Sequence, residues 1–118
     1  VERRQVVANR YRRALDGAVT VPLVADGAMS VWAQYTIEVD GRDDVQGRLD
    51  GVGIPTCVFY PRLVSSNAPY RSATVVRGGV PVAERATAMV LSLPMHAYLT
   101  EADQDRIVGQ LLRIGEDR

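Results

Sequence analysis

Apolar residues recur at steps of three and four in four segments of the chain, and this spacing predicts four amphipathic helices. The first helix is predicted from Val1 to Leu15 and the second from Arg42 to Asp50. Pro81 opens the third helix, because proline suits the first turn. Thr100 is predicted to cap the fourth helix. The apolar stripes of the last three helices are Val45, Leu49, Val52; Val82, Arg85, Ala86, Met89, Val90; and Ile107, Val108, Leu111, Leu112, Ile114.

Strict alternation of apolar and polar residues predicts a strand from Val31 to Val39. The odd positions of this strand form its apolar face, while Trp32 falls on the polar face and needs a partner for its large ring. The nearly continuous apolar segment from Ile54 to Tyr60 predicts a second strand that is buried on both faces. Leu91 to Pro94 predicts a short third strand. Val19 to Val24 predicts an edge strand or an extended lead-in, since Pro22 interrupts it.

The order of these elements predicts one domain over residues 1–118 with an α/β, two-layer α+β fold. A small sheet of three to four strands would be covered by helices on one face, and its other face would be a docking surface. The connection from Pro61 to Gly79 has weak periodicity. Because long connections inside a compact domain are uncommon, this one is predicted to be functional or mobile.

Composition narrows the possible functions. The 118 residues are 47% hydrophobic, which is typical of a folded chain, and 14 acidic residues balance 14 basic ones. A neutral chain does not present the basic field that nucleic-acid binding or membrane-surface binding requires. Every basic residue is arginine, so this chain cannot itself supply a Schiff-base lysine or a phosphate loop that ends in lysine.

One cysteine and one histidine are present. A single cysteine forms no internal disulfide, so a cytoplasmic location is expected, and no Cys/His zinc site can be assembled within the chain. Cys57, in the middle of a predicted apolar strand, is interpreted as a core residue. His96 has no adjacent nucleophile or orienting carboxylate and is interpreted as a structural or capping residue.

The connection after Tyr60 holds the best ligand candidates, because it carries hydroxyl, amide and guanidinium groups that suit a sugar or a phosphate ester. These candidates are Arg62, Ser65, Ser66, Asn67, Tyr70 and Arg71. The alternative at this point is a mobile polar loop with no ligand. The residues alone offer no complete catalytic set.

Three segments together resemble one family in order and spacing. They are Ser30 to Val39 (SVWAQYTIEV), Arg42 to Pro61 (RDDVQGRLDGVGIPTCVFYP) and Pro81 to Ile107 (PVAERATAMVLSLPMHAYLTEADQDRI). The chain is similar to the C-terminal small domain of the DegT/DnrJ/StrS-type sugar aminotransferases. These are pyridoxal-phosphate enzymes with the aspartate-aminotransferase fold. The resemblance spans essentially all 118 residues.

This resemblance implies a function for a longer parent protein. The family transfers an amino group, usually from glutamate, to the keto group of a nucleotide-linked sugar. Its Schiff-base lysine and its cofactor-binding residues lie in the large domain, which this chain lacks. The implied partners are therefore that large domain, the nucleotide-sugar substrate and a second subunit of a homodimer. No cofactor is expected on this chain alone.

The resemblance also implies substrate-binding residues in the loop after the GIPT strand, which approaches the sugar in the family. Tyr60 and Pro61 match the family pattern, and Tyr70 matches its later tyrosine. Ser65 occupies the position of a family histidine, so the usual contact there is altered. The implied substrate-binding residues are Tyr60, Ser65, Asn67 and Tyr70.

Two alternatives belong to other functional classes. The chain could be a stand-alone binding or regulatory module descended from this domain, or a small α/β enzyme, although the absence of lysine disfavours an enzyme. Separation from a large domain would expose the first helix and one sheet face. Self-association is therefore predicted through Val6, Tyr11, Leu15 and Trp32.

Overall fold

Four α-helices and a two-stranded antiparallel sheet form the fold in the computed structural model, which describes residues 1–74 and 76–118. The predicted α+β class is confirmed. None of the helices in these two ranges is long and apolar enough to cross a membrane. The elements are α1 (Glu2–Leu15), β1 (Tyr35–Glu38), α2 (Arg42–Gly51), α3 (Pro81–Met89), β2 (Val90–Leu93) and α4 (Glu101–Glu116).

The sheet is smaller than predicted, because it holds two strands within the described residues instead of three to four. β1 and β2 pair in register from Tyr35 opposite Leu93 to Glu38 opposite Val90. One isolated bridge flanks each strand: Thr20 pairs with Glu38, and Cys57 pairs with Ser92. The predicted segments 19–24 and 54–60 thus contribute single bridges at the two edges.

Proline explains why the ladder does not extend from Cys57 toward Ile54. Cys57 and Ser92 exchange both backbone hydrogen bonds, at 3.1 and 2.8 Å. In an antiparallel ladder the next bonded pair would be Pro55 opposite Pro94, and neither residue has an N–H to donate. The prediction of a strand buried on both faces is wrong: Ile54 is buried, whereas Phe59 and Tyr60 are exposed.

The strand predicted from Val31 begins only at Tyr35, because the chain turns at Trp32. Trp32 has a φ of +49°, a left-handed conformation that interrupts an extended strand. In this turn the indole Nε1 donates to Gln5 Oε1 at 2.9 Å, and the ring lies 5.4 Å from the ring of Tyr35. The predicted partner for Trp32 therefore exists, on α1. Val31 and Ala33 are exposed, contrary to the predicted apolar face.

α1 and α4 contact each other, and both contribute large buried side chains to the interior. Tyr11 and Leu15 of α1 are completely buried. Gln104 of α4 donates through Nε2 to the carbonyl of Val7 at 3.0 Å, and Arg10 pairs with Asp105 at 2.6 Å. The predicted self-association surface is wrong at Tyr11 and Leu15, since both side chains are fully buried within this chain.

The other helices lie at the predicted positions, but some residues of their predicted apolar stripes are exposed. Val45 and Leu49 of α2 are buried, but Val52 follows the helix and is exposed. α3 buries none of its residues, and Val82 is 82% exposed. The predicted cap of α4 is confirmed, because Thr100 Oγ1 accepts a hydrogen bond from the Asp103 N–H at 3.1 Å.

Two buried tyrosines provide a test of hydrogen bonding in this core. Tyr11 donates its hydroxyl to the carbonyl of Pro94 at 2.9 Å, whereas the hydroxyl of Tyr35 is buried without a partner among the described residues. Burial raises the pKa of both groups, that of Tyr35 to about 12, so both hydroxyls are protonated at neutral pH. We expect Tyr11→Phe to lower the free energy of unfolding by about 1 kcal/mol and Tyr35→Phe to change it little or raise it. Urea denaturation followed by circular dichroism measures both; equal losses would contradict the difference.

Candidate functional site

The loop between Tyr60 and Pro81 is built from consecutive tight turns. Two 3₁₀ turns span Val64–Ser66 and Ala68–Tyr70. The Ser66 N–H donates to Leu63 at 3.1 Å, and the Tyr70 N–H donates to Asn67 at 2.9 Å. These bonds hold successive polar residues in an ordered series. The sequence prediction for this loop also included Val75, which lies outside the described residues.

The four residues implied as substrate-binding lie on or next to these turns. Ser65 lies in the first turn and Asn67 lies between the two turns, while Tyr70 ends the second turn and Tyr60 precedes the first. Tyr60 is 71% exposed and Tyr70 is 53% exposed, while Ser65 is half-buried. None of the four hydroxyl and amide side chains bonds to another residue of the described ranges, so these groups are available to a ligand. Their role as substrate-binding residues stays a prediction.

Charge distinguishes this loop from the rest of the chain. Residues 51–83 contain three arginines and no aspartate or glutamate. Arg62, Arg71 and Arg77 are exposed and make no ion pair with any residue described. By contrast, Arg10 and Arg48 pair with carboxylates at 2.6 and 3.2 Å. The sequence interpretation omitted Arg77, although the acid-free stretch was a signal that could have found it.

Cys57 and His96 lie outside this series of turns. Cys57 is exposed, so its interpretation as a core residue is wrong; the physical reason is the single bridge that its segment makes with β2. His96 is exposed and accepts a hydrogen bond at Nδ1 from the backbone N–H of Tyr98 at 3.2 Å. This bond closes a local turn, and the structural role of His96 stays a prediction.

The residues of this chain do not fit a complete pyridoxal-phosphate site. The sequence has no lysine to form the covalent link, and residues 1–74 and 76–118 contain no group of three metal-ligating side chains. A groove of about 670 Å³ lies away from the loop, between the end of α1, the edge of β1 and the end of α4. The loop offers hydrogen-bonding groups and positive charge, and its residues 61–80 include no histidine, cysteine, lysine, aspartate or glutamate.

Comparison with solved structures defines the class of the fold. The chain superposes on an aminotransferase from Brucella abortus with a TM-score of 0.93 and 41% identity, covering 97% of this chain and 31% of that one. It superposes on DesV from S. venezuelae with a TM-score of 0.91 and 29% identity, covering 98% and 32%. The fold is thus that of a segment of an aminotransferase.

The family follows from the sequence. The model of the DegT/DnrJ/EryC1/StrS aminotransferase family matches residues 1–112, and the chain belongs to this family. A Pseudomonas aeruginosa relative, a UDP-2-acetamido-2-deoxy-3-oxo-D-glucuronate aminotransferase, is 36% identical over 84% of this chain and 27% of its own length. A dTDP-3-amino-3,4,6-trideoxy-alpha-D-glucose transaminase from Streptomyces venezuelae is 31% identical over 90% and 28%. The chain spans less than a third of the length of these relatives.

Proposed function

We propose that residues 1–118 are the small domain of a pyridoxal-phosphate-dependent aminotransferase that acts on a nucleotide-linked keto sugar. The observation that carries this proposal is the family match over residues 1–112. The names of relatives support the substrate class, since they act on UDP- or dTDP-linked sugars. A regulatory or binding module is not supported by the comparisons. A homodimer and a cytoplasmic location stay predictions.

The proposed role of this chain is to bind and orient the sugar at one wall of a cleft. The phenol groups of Tyr60 and Tyr70 and the amide of Asn67 are exposed, and each can exchange hydrogen bonds with sugar hydroxyls. Ser65 offers a hydroxyl where the family has a histidine. Because the serine side chain is shorter, we propose that its polar atom lies farther from the sugar than the histidine nitrogen would. When these side chains cover the sugar they exclude water and hold it in a reactive orientation.

The amino-transfer chemistry belongs to residues outside this chain. Pyridoxal phosphate supplies that chemistry when it is bound, and its covalent attachment requires a lysine that this sequence does not contain. The chain alone is therefore proposed to be inactive. The large domain of the same protein is the proposed partner that holds the cofactor.

The test uses the longer polypeptide that we propose carries this chain. Conversion of glutamate to 2-oxoglutarate is measured with a UDP- or dTDP-linked keto sugar. We expect Tyr70→Phe combined with Asn67→Ala to lower kcat/KM by about tenfold or more, because two hydrogen bonds to substrate are lost. Tyr98→Phe is the matched control, since Tyr98 is 79% exposed and lies outside the loop.

Two results would contradict the proposal. If the longer polypeptide transfers no amino group to any nucleotide-linked keto sugar, the proposed function is wrong. If it does transfer one, and the double variant has the same kcat/KM as Tyr98→Phe, the function stands and the assignment of the loop residues is wrong. The far-ultraviolet circular dichroism of each variant must match that of the parent.

A further inference from the structure

The arginines of residues 51–83 form a positive segment that no carboxylate of the described residues neutralises. Arg62 and Arg71 flank the two 3₁₀ turns, and Arg77 lies in the turn that Gly79 closes by donating to Val76 at 3.0 Å. All three are exposed. No acidic residue occurs between Asp50 and Glu84, so no carboxylate neighbours them along the loop. We refer to Arg62, Arg71 and Arg77 as the loop arginines.

Some of the arginines outside this segment form ion pairs with nearby carboxylates. Arg42 pairs with Asp43 at 2.5 Å, and Arg48 pairs with Asp44 at 3.2 Å. Arg85, just beyond the loop, reaches Glu38 at 3.4 Å. The loop arginines have no such ion pair within the described ranges. Acidic residues equal basic ones in the whole chain, so the excess positive charge of this segment is local.

The order of side chains along the loop matches a ligand with a charged part and a neutral hydroxylated part. Arg62 and Arg71 stand at the two ends, and the neutral polar side chains of Ser65, Asn67 and Tyr70 lie between them. Guanidinium groups bind phosphate oxygens through two parallel hydrogen bonds, whereas hydroxyl and amide groups suit sugar hydroxyls. A sugar diphosphate combines both parts in one molecule.

The relatives show which part of such a ligand is shared. The names of the two relatives described above contain UDP and dTDP, which differ in the nucleoside and share the diphosphate. Resting on the proposed function, we infer that Arg62 and Arg71, aided by Arg77, bind the diphosphate of the nucleotide-linked sugar. The loop arginines then act as positioning residues that anchor the substrate by its charge.

The experiment measures binding by this 118-residue chain, so it does not depend on amino transfer. The ¹⁵N-labelled chain is titrated with inorganic pyrophosphate, and the arginine Nε–H and loop amide signals are followed by nuclear magnetic resonance. We expect saturable shifts confined to residues 60–80. UDP should reproduce them, and uridine, which lacks the phosphates, should not.

Variants separate a specific site from general attraction to positive charge. Arg62→Gln and Arg71→Gln should each weaken pyrophosphate binding by about five- to tenfold, because each removes a charge-assisted pair of hydrogen bonds. Arg3→Gln and Arg13→Gln are the matched controls, since these arginines are exposed on α1 and make no ion pair among the residues described. Each control removes one positive charge and should leave the affinity unchanged.

Three outcomes would overturn the inference: no saturable shift with pyrophosphate, equal losses in the loop variants and the α1 controls, or equal binding of uridine and UDP. None of these outcomes decides whether the longer polypeptide transfers amino groups. Failure of the proposed function is seen in the 2-oxoglutarate assay instead. The two hypotheses therefore fail separately.

Discussion

Replacing Ile37 with alanine is expected to lower the free energy of unfolding by about 2–5 kcal/mol, since it deletes a fully buried aliphatic side chain. Ile37 lies at the centre of β1, opposite Leu91 of β2, and it is 0% exposed. The neighbouring backbone is held by the sheet, so the core cannot collapse to fill the cavity. A loss of this size is a large fraction of the stability of a domain this small.

Val31→Ala is the matched control for Ile37→Ala. Sequence alternation places both side chains on the same apolar face, but the structure leaves Val31 57% exposed. Its replacement should change the free energy of unfolding by no more than about 0.5 kcal/mol. Urea denaturation followed by circular dichroism measures both variants. If both variants lost the same free energy of unfolding, Val31 would be as buried as Ile37 and the chain would not turn at Trp32.

Arg42→Ala is expected to cost about 1.5–3 kcal/mol, because Arg42 is the most deeply buried arginine among the described residues. Its Nη1 donates to the carbonyl of Val90 at 3.0 Å and so ties the start of α2 to the start of β2. The side chain is 7% exposed, and its methylene groups pack in the interior. The substitution removes this packing and leaves the carbonyl of Val90 without the bond.

Arg48→Ala on the same helix is the control for Arg42→Ala. Arg48 has two carboxylate partners, Asp44 at 3.2 Å and Asp117 at 3.5 Å, but its side chain is 42% exposed. Water and salt screen such pairs, so we expect a loss of less than about 1 kcal/mol. The loss in each variant is measured as the change in the midpoint of thermal unfolding at low and at high salt. A greater loss for Arg48→Ala than for Arg42→Ala would show that ion pairing, and not burial, holds α2 in place.

All positive side chains in this protein are arginines, and they are used in two different ways. Arg42 binds a backbone carbonyl in the interior, and Arg10 joins α1 to α4 through Asp105 and Glu101. These residues stabilise the fold. The loop arginines have no such partner in the described ranges, and they stand in an acid-free segment with neutral polar side chains between them, which is why we infer that they serve a ligand. Arginine suits both uses because its guanidinium group forms planar, paired hydrogen bonds.

Several features followed from the sequence alone, since their causes are local. The helices begin and end near the predicted residues, because Pro81 and Thr100 act on the first turn that follows them. Tyr35 and Ile37 share the buried face, as the alternation predicts. The family was also identified from sequence motifs, and the match over residues 1–112 confirms it. The polar loop was predicted from the sequence because hydrophobic periodicity is weak between Pro61 and Gly79.

Burial and strand length were decided by tertiary structure, because they depend on which segments meet. Periodicity alone does not show that Pro55 would face Pro94 across the sheet, nor that Trp32 turns to donate to Gln5 on α1. Nor does it show that Tyr11 and Leu15 are fully buried. An apolar side chain is buried only where a distant segment covers it. Local pattern thus determined the helices, the positions of the two paired strands and the family, while contacts between distant residues decided the extent of the sheet and the exposed surface.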